Sequence, residues 1–354
     1  MTAPDSGVVV IVGAGLVGAS IGRALVAAGR TVHVEDRVLS HAVVAASLGA
    51  GSVEQADPAQ VALVVVAVPP DATAGAVADA LVRYPDAVVT DVASVKSRVL
   101  RELVEAGAEV SRYCGSHPMA GSQHTGPLTA DAELFVDRTW VVTPHRRMDP
   151  AAQQVVEQLI ADCGARTVEM LAELHDEAVA QVSHLPQVMS SLTAGHLRSV
   201  PATHLALAGQ GIRDVTRIAG SDPVLWRQII GANREAIRAE LLAVRDDLDA
   251  LLADFDDPQT IEDFIARGRV GAMSLPGKHG DPSRATVAVV IAIPDAPGSL
   301  ARLFQDIEAV GVNVEDLQIE HDPERRIGYL AVQVVPELGE RLTAAMRAAG
   351  WQLR

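Results

Sequence analysis

Only two cysteines, Cys114 and Cys163, occur in 354 residues, far apart and outside any C-x-x-C pattern. This excludes a disulfide scaffold and fits buried thiols in a reducing compartment. Aromatic residues are equally scarce, 3% against 49% apolar overall. The core must therefore be Ala, Val, Leu and Ile, the composition of buried parallel strands. No apolar run is long enough to span a bilayer, and the N-terminal MTAPDSG carries no basic segment. H-E-x-x-H, close Cys/His sets and acidic triads are all missing, so nothing here calls for a metal. Positive charge is in deficit too: 29 Lys+Arg against 45 Asp+Glu leave a formal net charge of −16. Such a chain repels phosphate backbones and anionic lipid, which argues against nucleic acid or membrane as partner. A cytoplasmic α/β protein is expected, in which an anionic substrate needs locally placed cations.

What is present first is alternation. Val8–Val12 is a β-branched run ending in glycine and reads as a buried strand. Helical spacing follows over 14–29 and a strand over 31–35. The pattern continues with a strand at 61–68, a helix at 71–83, a strand at 87–90, a helix at 95–106, a strand at 139–142 and a helix at 150–163. Strands and helices in this order predict right-handed βαβ units and a parallel sheet, a Rossmann-type domain over 1–170. From 171 to 275 strand signals vanish and helical periodicity dominates. Ser221-Asp222-Pro223 is a helix start, with Asp222 as cap and Pro223 where a missing N–H costs nothing. The spacing predicts one helix from there to about Asp254, long enough to serve a dimer interface. Residues 269–284 read as a linker. Beyond it, 284–354 read as a βαββαβ unit: strand 286–293, helix 298–310, strands 312–320 and 328–335, helix 338–349 and a short closing strand.

Gly13-Ala14-Gly15-Leu16-Val17-Gly18 is a G-x-G-x-x-G between a strand and a helix. Gly13 permits the tight turn, Gly15 lets a pyrophosphate approach the backbone, and Gly18 lets helix and strand pack closely, with the helix N-terminus facing the phosphates. Asp36 stands at the end of the second strand, where a carboxylate binds a ribose 2′-hydroxyl and repels a 2′-phosphate. NAD is therefore expected over NADP, although Arg37 follows directly. Val68-Pro69, closing the third strand, completes the expected cofactor-binding set.

Polar residues interrupt apolar text in three further places: Asp91-Val92-Ala93-Ser94-Val95-Lys96 at a strand end, Gly115-Ser116-His117-Pro118-Met119-Ala120-Gly121-Ser122, and a stretch from His175-Asp176-Glu177 through Ser183-His184-Leu185-Pro186 to 209–226. Each has a bland reading. Ser94 can simply cap the next helix, His117 can be a hydrogen-bonded loop histidine, and His184 can mark a helix kink before Pro186. Arg213 and Arg217 can form a solvated face or pair with Asp214.

Taken together, the five motifs resemble the prephenate/arogenate dehydrogenase family over about residues 8–235. They are the glycine-rich turn, D-x-x-S-V-K, G-x-H-P-x-A-G, H-D-x-x-x-A-x-x-S-H-L-P and T-R-I-A-x-S-D-P-x-x-W, in that order. The resemblance implies NAD-dependent oxidative decarboxylation of a cyclohexadienyl acid on the way to tyrosine. In this reading His117 accepts the ring hydroxyl proton and Ser94 bonds the same hydroxyl or orients His117. His184, Arg213, Arg217, Ser122, Gln123 and Trp226 line the substrate, with Arg217 as a fork for a carboxylate. Neutral Gln123, where some relatives carry an acid, favours prephenate over arogenate. A β-hydroxyacid dehydrogenase is disfavoured because no K-x-x-x-N stands in 171–235. An NAD-sensing regulatory protein would need the nucleotide but not His117 with Ser94. Residues 284–354 resemble an ACT regulatory domain through Ile293-Pro294-Asp295-Ala296-Pro297-Gly298-Ser299-Leu300 and Val310-Gly311-Val312-Asn313-Val314. That likeness implies an amino-acid effector, tyrosine, held by Asp295, Gly298 and Asn313; pairing of the domain with its own copy is the alternative. A homodimer is expected.

Overall fold

The computed structural model describes residues 7–121, 126–275, 286–322 and 327–354. The chain divides into two compact units, Met1–Arg245 and Asp246–Arg354, so the Rossmann-type and helical parts are described together.

Strand β1 (Val8–Val12) lies at the centre of a four-stranded parallel sheet ordered β2-β1-β3-β4, with β2 Val32–Glu35, β3 Val61–Val66 and β4 Val88–Asp91. Val9, Val10 and Ile11 are buried on both faces, which is why this segment is a run rather than an alternation. Helix α1 (Leu16–Ala27) follows β1; α2 (Leu39–Ser47) follows β2, where the sequence reading gave no helix; α3 (Pro70–Arg83) follows β3; and α4 (Ser97–Glu105) follows β4. The chain leaves β1 in one direction along the sheet and returns to β3 on its other side. This order creates a crevice at the carboxyl ends of β1 and β3, where open parallel sheets receive ligands.

Three short strands extend this part: β5 (Gly115–Pro118), β6 (Thr139–Thr143) and β7 (Arg166–Glu169), with β5 antiparallel and β7 parallel to β6. Helix α5 (Pro150–Asp162) lies between β6 and β7. The segment expected as a loop around His117 is thus a strand, held by main-chain pairing with β6 rather than by apolar content.

Beyond β7 the first unit is helical: α6 (Ala172–Val179), α7 (Leu185–His196), α8 (Ala202–Leu205), α9 (Gln210–Thr216) and α10 (Pro223–Ala232). Residues Ala180–His184 form a π-helical turn joining α6 to α7, a wide turn of the kind that often marks a functional site. Asp222 caps α10 through Val224 N–H at 2.8 Å. The single helix expected from Pro223 to Asp254 is instead two. Asn233 breaks it, and α11 (Arg234–Ala253) begins on the next residue.

In the second unit α12 (Pro258–Met273), capped by Asp257, occupies part of the segment expected as linker; residues 276–285 lie outside the described part. An antiparallel sheet ordered β11-β8-β10-β9 follows, with β8 Val287–Pro294, β9 Asp316–Asp322, β10 Ile327–Val334 and β11 Gln352–Leu353. Helices α13 (Ser299–Val310) and α14 (Pro336–Ala348) bury Leu303, Ile307, Leu342 and Met346 with Ile291, Leu330 and Val332 of the sheet. The β9 strand starts four residues later than the sequence reading had it.

Candidate active site

The turn after β1 has the shape a pyrophosphate requires. Gly13 adopts φ +104°, and a Cβ there would run into the Ala67 carbonyl; a Cβ on Gly18 would run into the Gly13 carbonyl. At Gly15 an added Cβ meets no atom within 4 Å, so that side of the turn is open. Leu16, Val17 and Gly18 form the first turn of α1, where N–H groups lack intrahelical acceptors. Asp36 is tied to this turn: its Oδ2 accepts the Ala14 N–H at 2.7 Å and its Oδ1 the Val38 N–H at 2.8 Å. Neighbouring Glu35 is taken by Arg83 in a two-bond fork of 2.6 and 2.8 Å and by the Tyr84 hydroxyl. Asp36 is therefore the acid at the nucleotide turn. Arg37 beside it is exposed, Val68 approaches Gly13, and Pro69 stands immediately before α3. The residues present fit a dinucleotide.

Beneath β4 and β5 lies a buried polar network. The Lys96 ammonium, wholly enclosed, donates to the Asp91 carboxylate and to the Ser116 carbonyl at 2.6 Å. Asp91 also accepts from the Tyr113 hydroxyl at 2.7 Å. The Ser116 hydroxyl donates to the Asp91 carbonyl at 3.0 Å and accepts from Trp140 Nε1 at 3.1 Å. Burial pushes the Lys96 ammonium below its ordinary range, opposed by the Asp91 charge. Burial, then the Asp91 charge, pushes the Tyr113 hydroxyl up. The Ser116 hydroxyl on the Asp91 carbonyl, and Lys96 bridging Asp91 to the Ser116 carbonyl, tie β5 to β4 one residue from His117.

His117 points its Nδ1 at Nε2 of His175, 2.9 Å away, with the two rings edge-on. His175 in turn presents Nδ1 to Oδ1 of Asp176 at 2.8 Å. The Asp176 carboxylate caps α4 from outside, accepting the main-chain N–H of Lys96 at 2.8 Å and of Ser97 at 2.9 Å. Burial alone would raise this carboxyl; the bonds from His175, Lys96 and Ser97 outweigh it and hold the group below its usual range. His117 is pushed well below the ordinary imidazole value, chiefly by burial and then by His175, Lys96 and His184 nearby.

A third histidine joins from the π-helical turn. Asn233 Nδ2 donates to the Asp176 main-chain carbonyl at 2.7 Å, which orients the amide, and lies 3.2 Å from His184 Nδ1. That ring nitrogen therefore accepts, and the hydrogen of neutral His184 sits on Nε2. Burial lowers His184 to about 4, and Trp226 meets its ring edge-on at 5.9 Å between centroids.

The expected residues are thus only partly brought together. His117, His184 and Trp226 belong to one cluster. Ser94 is half-buried in the bend after β4 and does not cap α4, whose capping group is Asp176. Arg213 on α9 and Arg217 just after it are exposed, and Asp214 accepts from Gln210 at 2.8 Å. Ser122 and Gln123 lie outside the described residues. In the second unit Gly298 precedes α13 at φ +87°, Asp295 is exposed, and Asn313 donates to Glu315 at 2.8 Å. The sequence reading assigned no role to Asp91, Lys96, His175, Asp176 or Asn233, although the first four stand inside the motifs it quoted.

An open glycine turn beside an acid, with a histidine cluster whose burial disfavours the charged form, fits an oxidoreductase that works with a nicotinamide dinucleotide. Similarity to known proteins narrows the class. Residues 21–169 match the model described as prephenate dehydrogenase, nucleotide-binding domain, and residues 171–265 that described as prephenate dehydrogenase, dimerization domain. A probable prephenate dehydrogenase, NovF, of Streptomyces niveus is 34% identical across 97% of this chain and 98% of its own. The crystal structure of a putative prephenate dehydrogenase of Corynebacterium glutamicum has a TM-score of 0.66 at 30% identity, covering 77% of this chain and 91% of that one. That of prephenate dehydrogenase from A. aeolicus in complex with hydroxyphenyl propionate and NAD+ has a TM-score of 0.67 at 25% identity, covering 75% and 97%. The chain belongs to the prephenate dehydrogenase family and is an NAD-dependent oxidoreductase.

Proposed function

We propose that this protein converts prephenate to 4-hydroxyphenylpyruvate and CO2 in tyrosine biosynthesis, with His117 as the proton acceptor. The observation that carries this reading is His117 in a cluster with His184 and joined through His175 to the Asp176 carboxylate, surroundings that disfavour its charged form. NAD, when bound at the Gly13–Gly18 turn and Asp36, supplies the acceptor for the C4 hydride. His117 takes the C4 hydroxyl proton as C4 becomes a carbonyl. Loss of CO2 from C1 then returns an electron pair to the ring, and the same proton goes back to the oxygen as the phenol forms. Atoms balance with no further reactant, so one neutral imidazole suffices. Ser94 holds the hydroxyl, the His184 Nε2–H donates to a substrate oxygen, and Arg217 meets a carboxylate with its planar fork. Trp226 packs on His184 and fixes its ring. Arg213, Ser122 and Gln123 contribute further polar groups for substrate binding in this reading.

The test is NADH absorbance with purified protein. We expect a higher kcat/KM for prephenate than for arogenate, and for NAD than for NADP. Arogenate as the better substrate transfers the assignment to arogenate dehydrogenase. No turnover of either leaves the NAD-sensing reading.

In this account the protein works in the cytoplasm as a homodimer; the similarity of 171–265 to a dimerization domain supports the dimer. Among the described residues no helix is long and apolar enough to cross a membrane. The antiparallel β11-β8-β10-β9 sheet with two helices supports an ACT-like regulatory role for 284–354, with tyrosine received beside Gly298, Asp295 and Asn313.

A further inference from the structure

The Asp176 carboxylate is a group that can only accept. Asp176 is ionised: its two oxygens receive main-chain N–H groups at the start of α4, and these bonds with that of His175 hold the carboxyl low. An ionised carboxylate has no hydrogen to give, so the hydrogen between it and His175 sits on His175 Nδ1. Where that is the only hydrogen on the His175 ring, its other nitrogen, Nε2, carries a lone pair. It faces His117 Nδ1 at 2.9 Å, and two lone pairs cannot meet at that distance. The hydrogen of that contact belongs to His117 Nδ1, and the nitrogen left unprotonated on His117 is Nε2.

We propose that His175 and Asp176 are positioning residues that hold His117 as its Nδ1–H tautomer, leaving Nε2 as the nitrogen that takes the substrate proton. The proposal rests on the reading of His117 as the proton acceptor. It adds what makes that reading workable. A histidine side chain free in water favours the Nε2–H form, which has no lone pair at the nitrogen a base needs there. The Asp176–His175 pair reverses the preference through two directed bonds.

The same chain acts once the proton has moved. The substrate O–H bond breaks and an N–H bond forms at His117 Nε2, giving an imidazolium whose Nδ1–H already donates to His175. His175 donates to Asp176, so the new positive charge is joined to a buried anion through two aligned hydrogen bonds. No proton need leave the site, since the phenol oxygen takes it back at the end of the turnover. Asn233 ties the arrangement to His184, because the carbonyl it holds is that of Asp176 itself. His117 is thereby left to accept and His184 to donate.

The tautomer is read directly from nitrogen chemical shifts. In the full-length protein labelled with 15N-histidine, long-range proton–nitrogen correlation spectra distinguish a protonated from an unprotonated ring nitrogen. The His117 signals are assigned by their loss in His117→Asn. Near pH 7.5 we expect His117 with hydrogen on Nδ1 and none on Nε2, and His175 likewise. A His117 signal with hydrogen on Nε2 overturns the proposal whatever the enzyme's activity. The kinetic arm uses Asp176→Asn, whose amide can donate to His175 Nδ1 and drive both rings into the opposite tautomers. In the folded variant kcat should fall about 100-fold or more with little change in NAD affinity, and the His117 shifts should invert. Unchanged kcat in a folded Asp176→Asn protein contradicts the proposal; if that variant does not fold, the wild-type spectrum decides alone. Failure of the base reading shows elsewhere, as retained activity in His117→Asn.

Discussion

Lys96 meets Asp91 with both side chains withdrawn from solvent, in an ion pair that also grips the carbonyl of Ser116. Removing one partner of such a pair leaves an uncompensated buried charge, which typically costs about 3–5 kcal/mol. Lys96→Met should lower the unfolding free energy by roughly 3 kcal/mol, toward the low end because Tyr113 and the Ala93 N–H still serve Asp91. Adding Asp91→Asn should recover part of that loss, as expected of two residues in direct contact. Denaturant unfolding of the two single variants and the double checks this. A Lys96→Met protein as stable as the parent contradicts the pairing.

Replacing His117 by Asn keeps the size and removes the base. General base catalysis contributes about 10²–10⁴-fold, so kcat should fall by at least roughly 100-fold while NAD titrates as before. The pH profile follows from the same group. Its pKa lies below 6.5 because burial, then His175, Lys96 and His184, disfavour the charged form. The base is lost only when protonated, so activity should hold as pH falls from 7 to 6.5 and decline below that. An acid limb of kcat/KM centred at or above 6.5 contradicts this environment.

Arg217 is exposed at the end of α9 and has no part in the buried network. Its truncation should leave stability within about 0.5 kcal/mol and raise KM for prephenate, with kcat changing less. A folded Arg217→Ala protein with unchanged KM returns the residue to the solvated face.

Tyrosine should inhibit the enzyme through the C-terminal sheet. Asn313→Ala frees Glu315 and removes an amide beside Gly311, so inhibition should weaken while the uninhibited kcat stays the same. Inhibition that is unchanged, and competitive with prephenate, places tyrosine at the active site instead.

How much was legible in the sequence depended on whether a feature is local. The β1–turn–α1 start is fixed by residues a few positions apart and read correctly as shape; Asp36 was legible from its place after β2, although its bond to the Ala14 N–H spans 22 positions. The order of strands and helices from 286 onward was legible too, but the β11-β8-β10-β9 arrangement is a matter of pairing across the domain. Strand β5 was missed because Gly115–Pro118 has no apolar run and exists by pairing with β6. Strand β7 is short and exposed along its length. The break at Asn233 was missed although Gly231 stands two residues before it; the Asn233 amide there bonds the Asp176 carbonyl and meets His184, contacts that no local pattern signals. His175 and Asp176 were in view as an H-D pair, yet their part depends on α4, which lies 80 positions back in sequence from Asp176 to Lys96.

The central claim is tested most directly by stoichiometry in one reaction. Purified protein is given limiting prephenate with excess NAD, and NADH, released CO2 and 4-hydroxyphenylpyruvate are measured together. The account predicts one of each per prephenate consumed. NADH without CO2, CO2 without NADH, or neither, contradicts it.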